Sequence, residues 1–336
     1  MKHHTQDMRR IISVSRRTDV PAFYADWFAN RLDAGFAGWE NPFGGQKYVV
    51  SLRVEDVIAF VFWSKNYRPF LKILPRLQAE GHKCLFQYTI TGLPHIMEAG
   101  LVDTDDAIES FQQLSSSFSS DQVFWRYDPI VISDVTDSTY HLARFEHIAG
   151  RLAGYTHRCY LSYAILYGKV EKNFRSFTQQ HGIEFRDPSV AQKIELANKL
   201  AEIGRGYGIQ VYTCCGDYLI GDSIHKAHCV DDELISRIFY NGTWHGKSKP
   251  TRKECGCAES TDIGKYDTCP HGCIYCYANV NKHKAVDKYR QHDTASPFLG
   301  YSSSEGQKFL ESIRDTSTKK GVYEGKEPRQ LTFEGF

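Results

Sequence analysis

The sequence predicts an α/β protein built on a TIM-like (β/α) barrel, followed by a C-terminal cysteine-rich module. From residue 9 to about residue 240, short apolar runs alternate with longer amphipathic segments, as strands and helices do around a parallel sheet. The number of such units favours a barrel over an open sheet. Beyond residue 240 the chain becomes rich in Gly, Thr, Lys, Ser and Cys. We therefore expect a barrel domain over residues 1–240 and a cysteine-rich module with a polar tail over residues 241–336.

Short runs of apolar and aromatic residues predict the strands. Each run has the length and the β-branched or aromatic content of a buried strand. The runs are residues 11–15, 47–51, 57–63, 84–89, 122–127, 159–163 and 209–213. Two of them begin with cysteines, Cys84 and Cys159, which we interpret as small buried hydrophobic residues.

Amphipathic segments between the runs predict the helices. In the last of them Val190, Ile194, Ala197 and Ala201 fall on one stripe. Several segments begin after Asp, Ser or Thr and end before Gly, which are helix start and stop signals. The predicted helices are residues 24–34, 68–79, 105–114, 139–152 and 190–203.

Polar residues follow almost every predicted strand, and barrel enzymes place their chemistry at the carboxyl ends of strands. The candidate catalytic residues are Arg16, Arg17, Asp19, Lys65, Arg126 and Asp128. The cations of this set would bind an anionic group, and its carboxylates, with Asp217, would orient amines or hydroxyls. Any single one of them could instead cap a helix or form a turn.

The composition limits which partners and which cellular compartment we expect for the protein. The chain has 336 residues, and 41 Lys and Arg oppose 40 Asp and Glu, which leaves a net charge of +1. That balance excludes a strong global field for holding a polyanion. No signal-peptide pattern is visible at Met1, and no apolar stretch approaches the roughly 20 residues of a membrane span. Clustered cysteines in such a chain indicate metal binding in a reducing cytoplasm.

The segment Cys269-Pro270-His271-Gly272-Cys273-Ile274-Tyr275-Cys276, here called the cysteine loop, carries three thiols on one tight turn. Three thiolates can hold three corners of a 4Fe-4S cluster and leave the fourth iron open to another ligand. The alternative is a tetrahedral zinc site in which Cys255, Cys257 or His271 completes the ligand set. Zinc ligands usually come as two short-spaced pairs, which the loop does not have.

Other cysteines are candidates for a second metal, either zinc or iron-sulfur. Cys255 and Cys257 are the first choice, and Cys214, Cys215 and Cys229 are further candidates. Residues 241–268 lack helical or strand periodicity, so we expect this stretch to become ordered only with its metal.

The cysteine loop resembles the CxxxCx-aromatic-C signature of the radical S-adenosylmethionine (radical SAM) enzymes. The resemblance implies S-adenosylmethionine as a cofactor, an electron donor such as flavodoxin or ferredoxin, and a barrel that encloses the reaction. Tyr275 and Tyr277 would then bind the cofactor's adenine, and Asp217 its methionine amine. In that family the motif follows the first barrel strand, so here the barrel is permuted or the cluster is appended to it.

A second resemblance covers most of residues 11–279. Residues 12–23, 61–66, 124–130 and 255–278 resemble a bacterial family of unknown function, numbered 1848. This implies a barrel-like domain with a cysteine-rich C-terminal metal site and assigns no reaction. The residues from Cys273 to Tyr277 are also similar to the end of the motif in spore photoproduct lyases, which repair DNA.

These patterns favour a cytoplasmic radical SAM-type metalloenzyme that acts on a small-molecule or nucleic-acid-derived substrate. A nucleic-acid-binding or repair protein with a structural zinc or iron-sulfur module is the first alternative. Basic and aromatic residues interleave at 63–65 and 125–127, as stacking on bases with phosphate contact would require. A scaffold for partner proteins is the second alternative.

Overall fold

The computed structural model describes residues 9–319, and the first feature to place is the set of strands. They are β1 (Arg10–Val14), β2 (Phe36–Glu40), β3 (Lys47–Ser51), β4 (Val57–Ser64), β5 (Cys84–Thr89), β6 (Val123–Ile130), β7 (Arg158–Tyr163), β8 (Gln210–Thr213), β9 (Ile224–Lys226) and β10 (Ser260–Asp262). Eight of them form one parallel sheet in the order β10-β1-β4-β5-β6-β7-β8-β9. The predicted α/β class with a parallel sheet is therefore confirmed.

The run at residues 47–51 is a strand but not part of this sheet. It is β3, which pairs antiparallel with β2 in a separate hairpin, with Ala37 opposite Val50. Val49 is 46% exposed, so the run is not the buried strand that its composition predicts. An apolar run alone does not distinguish a surface hairpin from a central strand.

Helices connect most of the parallel strands. They are α1 (Val20–Phe23), α2 (Ala25–Ala34), α3 (Leu74–Ala79), α4 (Thr104–Ser117), α5 (Ser138–Leu152), α6 (Gly168–His181), α7 (Val190–Gly206), α8 (Asp232–Phe239), α9 (Lys282–Gln291) and α10 (Ser303–Lys319). The five predicted helices are present, although the segment at 68–79 divides into a 3₁₀ turn (Arg68–Ile73) and α3. Ser189 begins α7 by accepting a hydrogen bond from Gln192 N, as the start signal predicts.

The sheet has an apolar core on each face because successive side chains of a strand point to opposite sides. Phe62 and Phe86 belong to the core shared with the helices. Their strand neighbours Val61 and Leu85 belong to a second core, which also contains Phe124 of β6. The strands thus read as continuous apolar runs, which is typical of parallel sheets covered on both faces.

The sheet curls so that distant strands meet on the inner face. Gln87 of β5 donates from Nε2 to the carbonyl of Cys229, just beyond β9, at 3.2 Å. The Tyr160 hydroxyl of β7 donates to the carbonyl of His228 at 3.4 Å. Leu234 and Ile235 of α8 pack into the same inner core.

A seam remains between the two edge strands, β9 and β10. Among the residues described, these strands form no ladder with each other, so the closed barrel that the sequence predicts is not shown. One backbone hydrogen bond crosses the seam just beyond the paired segments, from Ala258 N to Val230 O at 2.9 Å.

The segment at 241–268, predicted to be aperiodic, contributes the strand β10. Ser260 pairs with Ile11 and Asp262 with Ser13, so this part of the chain shares the main sheet. The strand is three polar residues long, too short for an apolar or alternating pattern. The domain boundary at residue 240 stays a prediction.

Two helices, α9 and α10, follow the cysteine loop in the described part of the chain. The helix α10 extends to Lys319, and the last seventeen residues of the predicted polar tail, 320–336, lie outside the described residues. None of the helices within residues 9–319 combines the length and the apolar character needed to cross a membrane.

Candidate functional site

A cavity of about 600 Å³ opens where the parallel strands end. Its walls come from the carboxyl ends of β1, β4, β5, β6, β7 and β8 and the turns that follow them. The candidate residues that line it are Arg16, Arg17, Asp19, Lys65, Arg126 and Asp128. The structure therefore brings the whole predicted catalytic set together, while the roles of these residues stay predictions.

The cysteine loop forms another wall of this cavity, with Cys269, Cys273 and Cys276 among the lining residues. Backbone hydrogen bonds attach the loop to the segment after β5: Ile274 N donates to Met97 O at 3.0 Å, and Gly100 N donates to His271 O at 2.9 Å. The loop thus lies against the strand ends rather than apart from them.

Asp19 connects the loop to the first strands. Its Oδ2 lies 2.7 Å from Nε2 of His271 and accepts a hydrogen bond from Lys65 N at 2.8 Å. Its Oδ1 accepts from the Ser64 hydroxyl at 2.6 Å and from Ala22 N at 3.0 Å. Both carboxylate oxygens are engaged by the protein, so the geometry favours a positioning role over direct contact with a substrate.

Lys65 belongs to a buried network with Glu98 and Tyr275. Its Nζ lies 2.8 Å from Oε1 of Glu98, and the Tyr275 hydroxyl also donates to Glu98. Burial acts to lower the pKa of Lys65, but the Glu98 carboxylate outweighs it, so the pKa is raised and the side chain stays charged. Glu98 was not predicted, because it lies in a loop without a recognisable sequence pattern.

The predicted cofactor residues differ in their positions. Tyr275 and Tyr277 line the cavity, and the Tyr277 hydroxyl donates to Arg16 O at 2.7 Å. Asp217 is not among the described residues that line it; its exposed carboxylate pairs with Lys226. Gly216, the residue before it, does reach the cavity.

Burial dominates the electrostatics of the loop thiols. It raises the pKa of Cys273 to about 12, although the nearby Lys65 ammonium acts to lower it. Burial likewise raises the pKa of Cys269. A metal that binds here must therefore displace protons from the thiols, because thiolates are the ligands.

A second group of thiols lies near the strand ends β8 and β9. The sulfur atoms of Cys214, Cys229 and Cys257 all lie within 4.8 Å of one another, so this group can hold a metal ion. Cys255 and Cys215 lie near this group and interact electrostatically with the thiol of Cys214. The structure thus places Cys255 and Cys257, both predicted as metal ligands, beside cysteines whose roles the sequence left open.

Arg126 links this thiol group to the rest of the cavity. Its guanidinium donates to Asp128 from Nε at 3.1 Å, to Oε1 of Gln87 at 3.2 Å and to Sγ of Cys229 at 3.5 Å. Arg126 is only 9% exposed, so it lies largely buried in the wall of the cavity.

We expect Arg126→Ala to destabilise the protein by about 1–3 kcal/mol, because the buried Gln87 and the partly buried Asp128 lose their partner. Arg68→Ala is the matched control: this arginine pairs with Asp106 at the surface, where an ion pair contributes about 0–1 kcal/mol. Urea unfolding of both variants measures the difference. Equal losses would contradict the structural role of Arg126.

The cavity carries more positive than negative charge. Among residues 9–319, six cations line it against three carboxylates: Arg16, Arg17, Lys65, Arg126, Arg252 and Lys253 against Asp19, Asp128 and Glu254. This excess favours a ligand with a carboxylate or phosphate group.

Comparison with known proteins gives a family and no closer relative. Neither the curated proteins nor the solved structures contain a match. A family model described as "Domain of unknown function (DUF1848)" matches residues 11–278, a range that includes the whole sheet except Arg10, the first residue of β1, and the whole cysteine loop. The predicted resemblance to the family numbered 1848 is confirmed, and the chain belongs to this family of domains of unknown function.

Proposed function

We propose that the protein is an iron-sulfur enzyme of the radical SAM type, with the cavity as its active site. The observation that carries the proposal is the position of the cysteine loop: its three thiols line a cavity of about 600 Å³ at the carboxyl ends of parallel strands. Strand ends of this kind are where α/β enzymes place their chemistry. In this proposal the curled sheet serves as the barrel that encloses the reaction.

The donor set of the loop fits a cluster with an open iron. Cys269, Cys273 and Cys276 supply three thiolates, which is one fewer than a closed cluster needs. Within residues 9–319 these thiols are not a group whose sulfurs all lie within 4.8 Å of one another, as ligands of a single ion would be. When bound, a 4Fe-4S cluster of this kind supplies the electron that cleaves S-adenosylmethionine.

The chain's own residues would bind and orient the reactants. Lys65 and Arg16 face the cavity as cations suited to a carboxylate or phosphate. Asp19 and His271 hold the loop against the strand ends, and Glu98 holds Tyr275 in place. The proposal also requires an electron donor, such as flavodoxin or ferredoxin, and a reducing compartment such as the cytoplasm.

Anaerobic purification with quantified iron and sulfide tests the proposal. We expect about four irons and four sulfides in the cluster of each chain. After reduction, addition of S-adenosylmethionine should release 5′-deoxyadenosine. Protein that holds zinc at the loop and contains no sulfide would refute the proposal.

A further inference from the structure

We infer that Cys214, Cys229, Cys255 and Cys257 form a separate site for a single Zn²⁺ ion, which joins the two edges of the sheet at the seam. The site uses no residue of the cysteine loop, and the inference stands whether or not the loop holds an iron-sulfur cluster. Zn²⁺ would be the ion, Cys255 its fourth ligand, and the joining of the two sheet edges its role in the fold.

Spacing of the sulfur atoms favours one ion over a cluster. A tetrahedral zinc site has Zn–S bonds of about 2.3 Å, which places neighbouring sulfurs about 3.8 Å apart. Cys214, Cys229 and Cys257 have their sulfurs within 4.8 Å of one another, close to that separation. A cubane cluster holds its thiolates on the outside of a larger cage, so its ligand sulfurs stand further apart. Tetrahedral coordination by sulfur is typical of Zn²⁺.

Cys255 is the best fourth ligand. Cys255 lies two residues before Cys257 and is buried, and its thiol interacts electrostatically with those of Cys214 and Cys257. Its sulfur is not within 4.8 Å of all three other sulfurs, so ion binding would draw Cys255 towards them. Cys255 is buried, as Cys214 and Cys257 are, whereas Cys215 is only partly buried. Cys215 is therefore the free thiol beside the site.

Hydrogen-bond donors around the site would stabilise its cysteines as thiolates. Val230 N donates to Sγ of Cys257 at 3.4 Å, and the Thr251 hydroxyl donates to Sγ of Cys255 at 3.5 Å. Arg126 donates to Sγ of Cys229 at 3.5 Å. Such outer hydrogen bonds orient metal ligands and tune their basicity.

Nearby cations balance the charge. Four thiolates and one Zn²⁺ carry a net charge of −2, which is costly to bury unless cations lie close by. Arg16 interacts electrostatically with Cys257 and Cys229, and Lys226 donates to the carbonyl of Cys214 at 2.9 Å.

Steric contact explains why a glycine stands between two of the proposed ligands. A Cβ atom at Gly256 would lie 2.1 Å from the ring of His228, so only glycine lets that ring pack on the Cys255-Gly256-Cys257 backbone. Cys229 follows His228 directly. The close packing holds both ligand segments together.

The ligands join three parts of the sheet. Cys214 directly follows β8, Cys229 lies just after β9, and Cys255 and Cys257 lie just before β10. These segments meet where β9 and β10 form no ladder and where Ala258 N bonds to Val230 O. Metal-ligand bonds would thus replace the missing strand pairing and order the segment from residue 241 to β10.

Metal analysis of the full-length chain tests the inference. We expect about one Zn²⁺ per chain, with an X-ray absorption spectrum that shows four sulfur neighbours at about 2.3 Å. Cys257→Ala should lose the zinc, and Cys215→Ala, the matched control, should retain it. Because Cys257→Ala could fail to fold, the absorption spectrum of the unaltered protein decides the ligand set independently.

The cysteine-loop variant Cys273→Ala separates this inference from the proposed function. It should keep its zinc, since the loop contributes no ligand to the site. Three results would each overturn the inference: the absence of zinc, nitrogen or oxygen neighbours around the zinc, or loss of iron and sulfide from a Cys257→Ala protein whose circular dichroism spectrum shows that it is still folded. Zinc without sulfide in the unaltered chain would refute the radical SAM proposal and leave this one standing.

Discussion

A Cys273→Ala variant, prepared anaerobically, is expected to lose most of its iron and sulfide. Cys273 is the middle thiol of the loop and is buried beside the cavity. Its removal would leave two thiolates for a cluster that needs at least three protein ligands when one iron is open. Release of 5′-deoxyadenosine from S-adenosylmethionine should fall with the cluster content.

Cys84→Ala provides the control for this loss. Cys84 is also fully buried, but it begins β5 and packs in the core between the sheet and the helices, away from the cavity lining. Iron, sulfide and product should therefore stay at the level of the unaltered protein. A Cys273→Ala protein that keeps its full complement of iron and sulfide would show that the loop is not the cluster site.

Most of the central strands were predictable because a strand that is buried on both faces is apolar along its whole length. β4 and β5 are continuous apolar runs, since both faces of each strand are covered. β9 and β10 were missed because three residues cannot show a pattern, and β10 is polar throughout. The seam was not predictable either, because its two edges are these short strands.

Residues of the candidate site were predictable only where a polar residue lies next to an apolar run in the sequence. Arg16 and Lys65 follow the apolar strands β1 and β4, and Arg126 lies in the second half of the run predicted at residues 122–127. Parallel strands end at the same side of the sheet. Contacts between distant segments were not predictable: Glu98 reaches Lys65 from a loop, and Cys214 meets Cys257 across the seam. Sequence spacing holds no information about such through-space pairs.

Asp262, at the end of β10, is the carboxylate that ties this strand to β1. Its oxygens accept hydrogen bonds from the hydroxyls of Ser13 and Ser15, both at 2.6 Å, and from Arg16 N at 2.9 Å. The side chains of Arg16 and Arg17 lie 3.9 and 4.0 Å from it. It is 6% exposed, so it is a buried charge with several partners.

Asp262→Asn is expected to lower the free energy of unfolding by about 3 kcal/mol, because it leaves the partly buried Arg16 and Arg17 without their counter-charge. Burial acts to raise the pKa of Asp262, but Arg17, Arg16 and the serine hydroxyls outweigh it, so the pKa is lowered. The carboxylate therefore stabilises the fold above its unfolded pKa of about 3.9, and this contribution disappears as the pH falls through the lower folded value. Urea unfolding at neutral and acidic pH should show a difference between the two proteins that narrows on acidification. Asp26→Asn, at an exposed ion pair with Lys72, should change stability little. A constant difference across pH would show that Asp262 acts through its shape and hydrogen bonds and not through its charge.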